Sequence, residues 1–208
     1  LFRAYYAAVL AGAVALFVVG APAAHVAPPL VLGLVLALML LAEAGPVALP
    51  SGGYATASAV LDLPCLIILG PFSTATLDLL STLIIQGLVL RKPAVKVIHN
   101  MAIFAITDFA AGYAFIAAGG EIGTFSLARH ILPVAVCGVV YFITNSILVS
   151  TVIGITSGPN PWRVWQRNFQ HGMLHHLSFI ALGTLVIVTY YSAGPLGLVL
   201  FAIPFLVA

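Results

Sequence analysis

The sequence predicts an all-α protein, a polytopic bundle of about seven or eight transmembrane helical segments. Of its 208 residues, 62% are hydrophobic and only 6% are charged, and the mean hydropathy is +1.20. A soluble domain of this length carries roughly a quarter charged residues. The apolar runs approach the length of about 20 residues that crosses a bilayer, and clusters of Gly, Pro and charged residues separate them. So few basic residues also exclude a nucleic-acid partner, which needs a phosphate-binding surface.

Proline and glycine delimit the first four segments, which are predicted near residues 4–20, 28–48, 55–69 and 72–90. The last two of these form one apolar stretch of 36 residues, from Ala55 to Leu90. As a single helix it would be about 54 Å long, which exceeds the bilayer. We therefore predict a break at Gly70-Pro71. A single crossing, or a re-entrant pair meeting at Gly70-Pro71, stays open as an alternative.

Basic and glycine-containing loops precede the later segments, predicted near residues 97–118, 128–155, 164–192 and 195–208. The last has 14 residues and would reach only about 21 Å as a helix. It is therefore expected to continue beyond Ala208 into a cytoplasmic output domain of the same chain. Residues 1–208 are accordingly predicted to be one integral membrane domain and a fragment of a longer protein.

Short cytoplasmic loops collect Lys and Arg, and this rule orients the segments. With eight crossings and the N-terminus inside, six of the seven basic residues fall on the cytoplasmic side, while Arg129 beside Glu121 falls outside. Both termini are therefore predicted to be cytoplasmic.

Polar side chains within the apolar segments are the candidate ligand-binding residues. They are Asp62, Asp78, Asn100, Asp108 and Asn145. An ionisable group at membrane depth costs at least ~2.5 kcal/mol and usually faces the bundle interior or a cavity. Pro64, just after Asp62, frees a backbone carbonyl and suggests a polar notch there. The alternative is that these groups only cap helices or join neighbouring helices by hydrogen bonds.

The loop Pro50-Ser51-Gly52-Gly53-Tyr54 adds Tyr54 to the ligand-binding candidates. A flexible backbone at the end of a segment lines a cavity or acts as a lid in one interpretation, with Tyr54 offering its ring and hydroxyl. In the other interpretation the loop only connects two helices.

His171 and His175 share a helix face through their i, i+4 spacing, a geometry that presents two imidazoles to one metal ion or haem. His99 or His130 would complete such a site. The run His171-Gly172-Met173-Leu174-His175-His176 is similar to one histidine box of membrane di-iron enzymes, but that family needs about eight histidines and this chain has six. The alternative places His171 in an interfacial belt with Trp162, Arg163, Trp165 and Arg167. We expect that this region holds no metal, haem or other cofactor.

The chain lacks a Gly-x-Ser-x-Gly elbow and a Gly-rich loop followed by Lys, the motifs of hydrolases and nucleotide-binding enzymes. Cys65 and Cys137 lie within apolar runs and are predicted to be packing residues. We therefore expect no enzymatic activity and no catalytic residue in this region.

The order of several short motifs resembles the multi-span N-terminal region that precedes HD-GYP, and sometimes GGDEF, domains in bacterial cyclic-di-GMP signalling proteins. The resemblance covers nearly the whole chain from about Gly52. The motifs are Ser51-Gly52-Gly53-Tyr54, Leu69-Gly70-Pro71-Phe72, Arg91-Lys92, Val97-Ile98-His99-Asn100, Val140-Tyr141-Phe142-Ile143-Thr144-Asn145, Val164-Trp165 with Asn168, and Gly194-Pro195-Leu196 before Ile203-Pro204-Phe205. The family often has Phe at the position of His99.

The Gly-Gly-Tyr loop and the Leu-Gly-Pro break are also similar to the substrate-binding S subunits of energy-coupling-factor vitamin transporters. This second resemblance implies a small-molecule pocket among about six helices.

The residues and the two resemblances together lead to three hypotheses, of which the metal or haem hypothesis rests on the histidine spacing alone. The first is a sensor domain in the bacterial inner membrane that binds a small or apolar ligand and regulates a cytoplasmic cyclic-di-GMP enzyme. The alternatives are an S-subunit-like uptake transporter and a haem- or metal-binding membrane protein. The expected partners are the lipid bilayer, the ligand and the output domain, and the sequence leaves a homodimer open.

Overall fold

A computed structural model of the chain describes residues 1–21, 25, 27–44, 47–48, 54–55, 59–169 and 172–200. The side chains of residues 47–48, 54–55, 59 and 172–176 lie outside this description. The helices are α1 (Phe2–Gly20), α2 (Pro29–Glu43), α3 (Ala59–Ile68), α4 (Pro71–Thr82), a π-helix (Leu83–Val89), α5 (Ala94–Ala117), α6 (Leu127–Ser157), α7 (Pro161–Phe169) and α8 (Gly172–Ala193). Residues 195–200 are also helical.

The all-α fold class is confirmed, since the only strands among the described residues are two residues long. β1 (Val47–Ala48) and β2 (Tyr54–Ala55) pair antiparallel, with Val47 opposite Ala55. The predicted helix near 28–48 therefore ends earlier than expected, at Glu43. Gly and Pro follow at positions 45 and 46, the residue types that commonly end a helix.

The break at Gly70-Pro71 is confirmed. Gly70 has a φ of +82°, which glycine adopts without the steric cost of a Cβ, and Pro71 occupies the start of α4. α3 has only 10 residues, about 15 Å, and is too short to cross a bilayer. Every residue from Val60 to Gly70 is buried, so α3 forms the centre of the bundle, surrounded by protein.

Four described helical stretches are long and apolar enough to cross a membrane: Phe2–Gly20, Pro71–Val89, Ala94–Ala117 and Leu127–Ser157. Pro29–Glu43 and Leu177–Ala193 are apolar but shorter. The predicted count of seven or eight segments is therefore not confirmed. The predicted segment 164–192 is represented by two helices, α7 and α8. α7 is amphipathic, because Val164 is buried while Arg163 and Arg167 are exposed.

Helix α5 holds the bundle together. It packs against α1, α3, α4 and α6, and α3 packs against α8. An added Cβ on Gly112 of α5 would lie 2.7 Å from Cβ of Pro71, which shows how closely α5 approaches the start of α4. This packing brings the polar faces of α3, α4 and α5 into the interior.

Candidate functional site

Four of the five acidic residues of the chain are buried inside the bundle, each on a different helix. Glu43 ends α2, Asp62 lies on α3, Asp78 on α4 and Asp108 on α5, and none is more than 2% exposed. Glu121, the fifth acid, is exposed. We call the four buried residues the acid cluster. All seven Lys and Arg residues lie in the described part of the chain, and none of them is buried.

Asp62 is held by a tyrosine from another helix. The hydroxyl group of Tyr141 on α6 donates a hydrogen bond to Asp62 Oδ2, whereas Oδ1 has no partner among the described atoms. The carbonyl freed by Pro64 belongs to Val60. A Cβ added to Gly183 of α8 would lie 3.2 Å from that oxygen, so the Val60 carbonyl faces α8. This short distance shows that α3 packs closely on α8.

Asp78 and Asp108 face each other between α4 and α5. Their side chains lie within hydrogen-bonding reach of each other. Such a bond exists only when one carboxyl carries a proton, because an ionised carboxylate is only an acceptor. If neither carboxyl carries a proton, both side-chain oxygens of Asp108 and Oδ2 of Asp78 lack a hydrogen-bond donor. Asp62 interacts electrostatically with both residues.

A second polar network joins α2, the π-helix and α5. The side-chain amide of Gln86 donates to Glu43 Oε1, and Asn100 Nδ2 donates to Gln86 Oε1 over 2.7 Å. Glu43 also interacts electrostatically with Asp62 and Asp78, which connects this network to the acid cluster. π-helical turns occur frequently at functional sites, and Gln86 lies within this one.

Two polar contacts join α5 to α4 and the π-helix that continues it: Asp78 with Asp108, and Gln86 with Asn100. Both contacts fit one register of the two helices. Gln86 follows Asp78 by eight residues, and Asn100 precedes Asp108 by eight. The helices are therefore antiparallel, with the two polar pairs about two turns apart. Thr82 lies between them, one turn after Asp78 on the buried face of α4.

The structure thus brings together four of the six predicted ligand-binding residues: Asp62, Asp78, Asn100 and Asp108. Asn145 is half-buried on α6, one turn after Tyr141, and takes no part in these contacts. Tyr54 contributes backbone to β2, and its side chain falls outside the described residues.

Sequence reasoning missed Glu43, Gln86 and Tyr141. Glu43 carried a detectable signal, because it is an acid inside a long apolar run. Nothing local distinguishes Tyr141 from the other tyrosines, so only the packing of α6 on α3 shows its role.

The predicted metal or haem site stays a prediction. His171 and the side chain of His175 lie outside the described residues. His99 packs against Tyr5 and Tyr6 of α1, and His130 accepts a hydrogen bond from Ser126 N over 2.8 Å. In the described part of the chain, no group of three His, Cys, Asp or Glu side chains could hold a metal ion. Cys65 and Cys137 are both buried and free, as expected of packing residues.

Comparison with known proteins shows the family. The MASE9 family model matches residues 52–208, three quarters of the chain, and the match begins where the sequence resemblance begins. The chain belongs to the MASE9 family. MASE9 is a membrane-associated sensor family, so the prediction of a membrane sensor region is confirmed at that level. No curated protein and no solved structure matches the chain. The expected similarities to HD-GYP or GGDEF proteins and to S subunits stay predictions.

The MASE9 match includes most of the polar core. Asp62, Asp78 and Asp108, together with Gln86 and Tyr141, lie within the matched residues, whereas Glu43 on α2 precedes them. The acid cluster is therefore mainly a feature of the matched sensor region, to which α2 adds one residue.

Proposed function

We propose that this MASE9 domain binds a small ligand in its polar core and regulates a cytoplasmic cyclic-di-GMP enzyme domain of the same protein. The observation that carries the proposal is the burial of four acids in one bundle of a membrane sensor family. Ionisable groups at membrane depth mark ligand or ion sites by default. In this proposal the region itself catalyses nothing and holds no cofactor.

A ligand can act on the output domain only if it binds one packing of the bundle more tightly than another. The helices around Asp62 offer a continuous route for that change. Asp62 lies on α3, which packs closely on α8 at Gly183, and α8 leads to the C-terminal residues 194–200. A ligand that moves α3 relative to α5 would therefore also move α8.

We further propose that the domain lies in the bacterial inner membrane with both termini in the cytoplasm. The basic residues support this orientation, since Arg91 and Lys96 are exposed between the π-helix and the first turn of α5. A Lys96→Cys variant tests it, because an impermeant maleimide should label this cysteine in inverted vesicles and leave it unlabelled in intact cells. Labelling in intact cells would reverse the orientation. The buried Cys65 and Cys137 provide the background control.

The decisive experiment uses the natural full-length gene product. Its coding sequence should continue past Ala208 into a cyclic-di-GMP synthase or phosphodiesterase domain. The purified protein in lipid nanodiscs should change its turnover by about fivefold or more when Asp78→Asn or Asp62→Asn alters the core. Glu121→Gln, at the exposed acid, is the matched control. A stop codon after Ala208, or equal turnover in all variants, contradicts the proposal.

A further inference from the structure

The acid cluster is buried, whereas none of the seven Lys and Arg side chains, all of which lie in the described part of the chain, is buried. The titratable groups that interact with it come from several helices: Cys65 from α3, and Cys137 and Tyr141 from α6. None of these is basic.

Other titratable side chains lie on the same helices or on neighbouring ones. Tyr5 on α1 and His99 on α5 contact each other's rings, and Tyr191 of α8 interacts with Tyr190. The seven Lys and Arg side chains all lie outside the buried core.

Several carboxylates cannot all be ionised in such a place. Burying an unpaired charge in a medium of low dielectric constant is costly, and the group becomes neutral instead. Two carboxyls in contact share a proton because like charges at that distance do not both ionise. Asp78 and Asp108 are such a pair, and Asp62 and Glu43 add further acidic groups beside it.

Two threonines provide a second, independent observation. Six other helical threonines return their hydroxyl groups to the carbonyl one turn earlier: Thr74, Thr76, Thr151, Thr156, Thr184 and Thr189. Thr82 and Thr107 are at most 1% exposed, yet their hydroxyl groups have no partner among the described atoms. Thr82 lies one turn after Asp78 on the buried face of α4, whereas Thr107 is next to Asp108 in sequence and does not share its direction on α5. A hydroxyl both donates and accepts, so the Thr82 hydroxyl leaves hydrogen-bonding capacity unused beside Asp78.

A polar path connects the acid cluster with the end of the bundle. Asn100 is half-buried in the second turn of α5, and it contacts Gln86, which contacts Glu43. Glu43 in turn interacts with Asp62 and Asp78. Glu43 is the titratable member of this network, and acidic side chains are the groups that relay protons at membrane depth. The network therefore connects one acid of the cluster, through two hydrogen bonds, with the half-buried Asn100.

We propose that the ligand of this sensor domain is the proton, bound by the carboxyl pair of Asp78 and Asp108. This inference rests on the proposed function and names the chemistry of its ligand. Binding forms an O–H bond on one carboxyl and joins α4 to α5. Release returns the proton to the aqueous phase and leaves two negative charges that repel each other, which loosens the same contact. A metal cation is disfavoured because no group of three His, Cys, Asp or Glu in the described part could hold one.

Infrared difference spectroscopy of the full-length protein in nanodiscs tests the inference directly. Exposed carboxyl groups are ionised near neutral pH, so a C=O stretch of protonated carboxyl groups that persists at about pH 7 comes from buried groups. This component should decrease as the pH is raised further, and most of it should be lost in Asp78→Asn and in Asp108→Asn. Glu121→Gln, which changes an exposed carboxyl, should leave it unchanged. A band that does not change with pH in the wild type overturns the inference without any variant, and so does a band that both variants retain.

Two further arms separate the remaining outcomes. Replacing choline chloride by NaCl at constant ionic strength should leave the band unchanged, and a sodium-dependent band would identify a metal cation instead of the proton. The cyclic-di-GMP turnover is measured in the same samples. Carboxyl titration without a pH-dependent turnover overturns the proton as the ligand that the domain senses. The proposed function fails as well only if Asp78→Asn and Asp62→Asn have the turnover of the wild type. Regulation by Asp78→Asn without titration supports the proposed function and overturns the proton inference.

Discussion

Tyr141 on α6 donates a hydrogen bond to Asp62 on α3, and both side chains are buried. The contact joins residues that are 79 positions apart. It links the longest described helix to the short central helix that carries Asp62.

Removing this donor should destabilise the bundle. Tyr141→Phe leaves Asp62 buried with one hydrogen bond fewer, which costs about 1–3 kcal/mol. We expect a lower unfolding temperature in detergent. Tyr113→Phe is the matched control, since Tyr113 is 37% exposed and its ring still stacks on Phe109. Equal melting temperatures for the two variants would show that the Tyr141 hydroxyl contributes nothing.

The network of Glu43, Gln86 and Asn100 should show strong coupling. Gln86→Leu removes the donor to Glu43 and the acceptor of Asn100, so we expect a loss of about 1–3 kcal/mol in the free energy of unfolding. Adding Glu43→Leu removes the buried acid as well, so the double variant should be more stable than the sum of the two single changes predicts. Additive effects would mean that the two side chains act independently.

The close approach of α5 to α4 should not tolerate a methyl group. In Gly112→Ala the new Cβ would lie 2.7 Å from Cβ of Pro71 and 3.3 Å from Leu66 Cδ2. The proline ring cannot rotate away, so α4 must shift, at a cost of about 1–3 kcal/mol. Gly33→Ala on α2 is the control because nothing lies within 4 Å of its added Cβ. That change should raise helix stability by about 0.5–1 kcal/mol. Thermal unfolding of both variants in one detergent measures the contrast, and a Gly112→Ala variant as stable as wild type would contradict it.

Helix α7 should be released from α6 when its indole anchor is lost. Trp165 Nε1 donates to Ser146 Oγ over 2.9 Å, and the ring stacks on Trp162. Trp165→Phe keeps an aromatic ring but loses the hydrogen-bond donor. Losing this hydrogen bond costs about 1 kcal/mol, which raises the fraction of molecules with α7 detached from α6 about fivefold. Trypsin should therefore cut after the exposed Arg163 and Arg167 about fivefold faster. Trp162→Phe should leave the cleavage rate unchanged, and equal rates for both variants would show that the anchor does not hold α7.

Hydropathy and turn chemistry predicted much of the chain's architecture because both are local properties. The MASE9 match and four long apolar helices support the membrane class, and the structure places α1, α5 and α6 within a few residues of their predicted bounds. It also confirms the break at Gly70-Pro71. The sequence did not predict the division into α7 and α8. Buried Val164 and two tryptophans make the α7 region apolar enough to join the following segment, although the region also contains exposed Arg163 and Arg167.

The sequence by itself determined that polar groups lie inside a membrane bundle, since acids within apolar runs are visible without a structure. Only the tertiary structure decided which of them meet. Asp78 reaches Asp108 and Gln86 reaches Asn100 because α4, the π-helix and α5 run antiparallel in one register, which the contact of Pro71 with Gly112 supports. Register between helices depends on side chains far apart in the chain, and no local pattern encodes it.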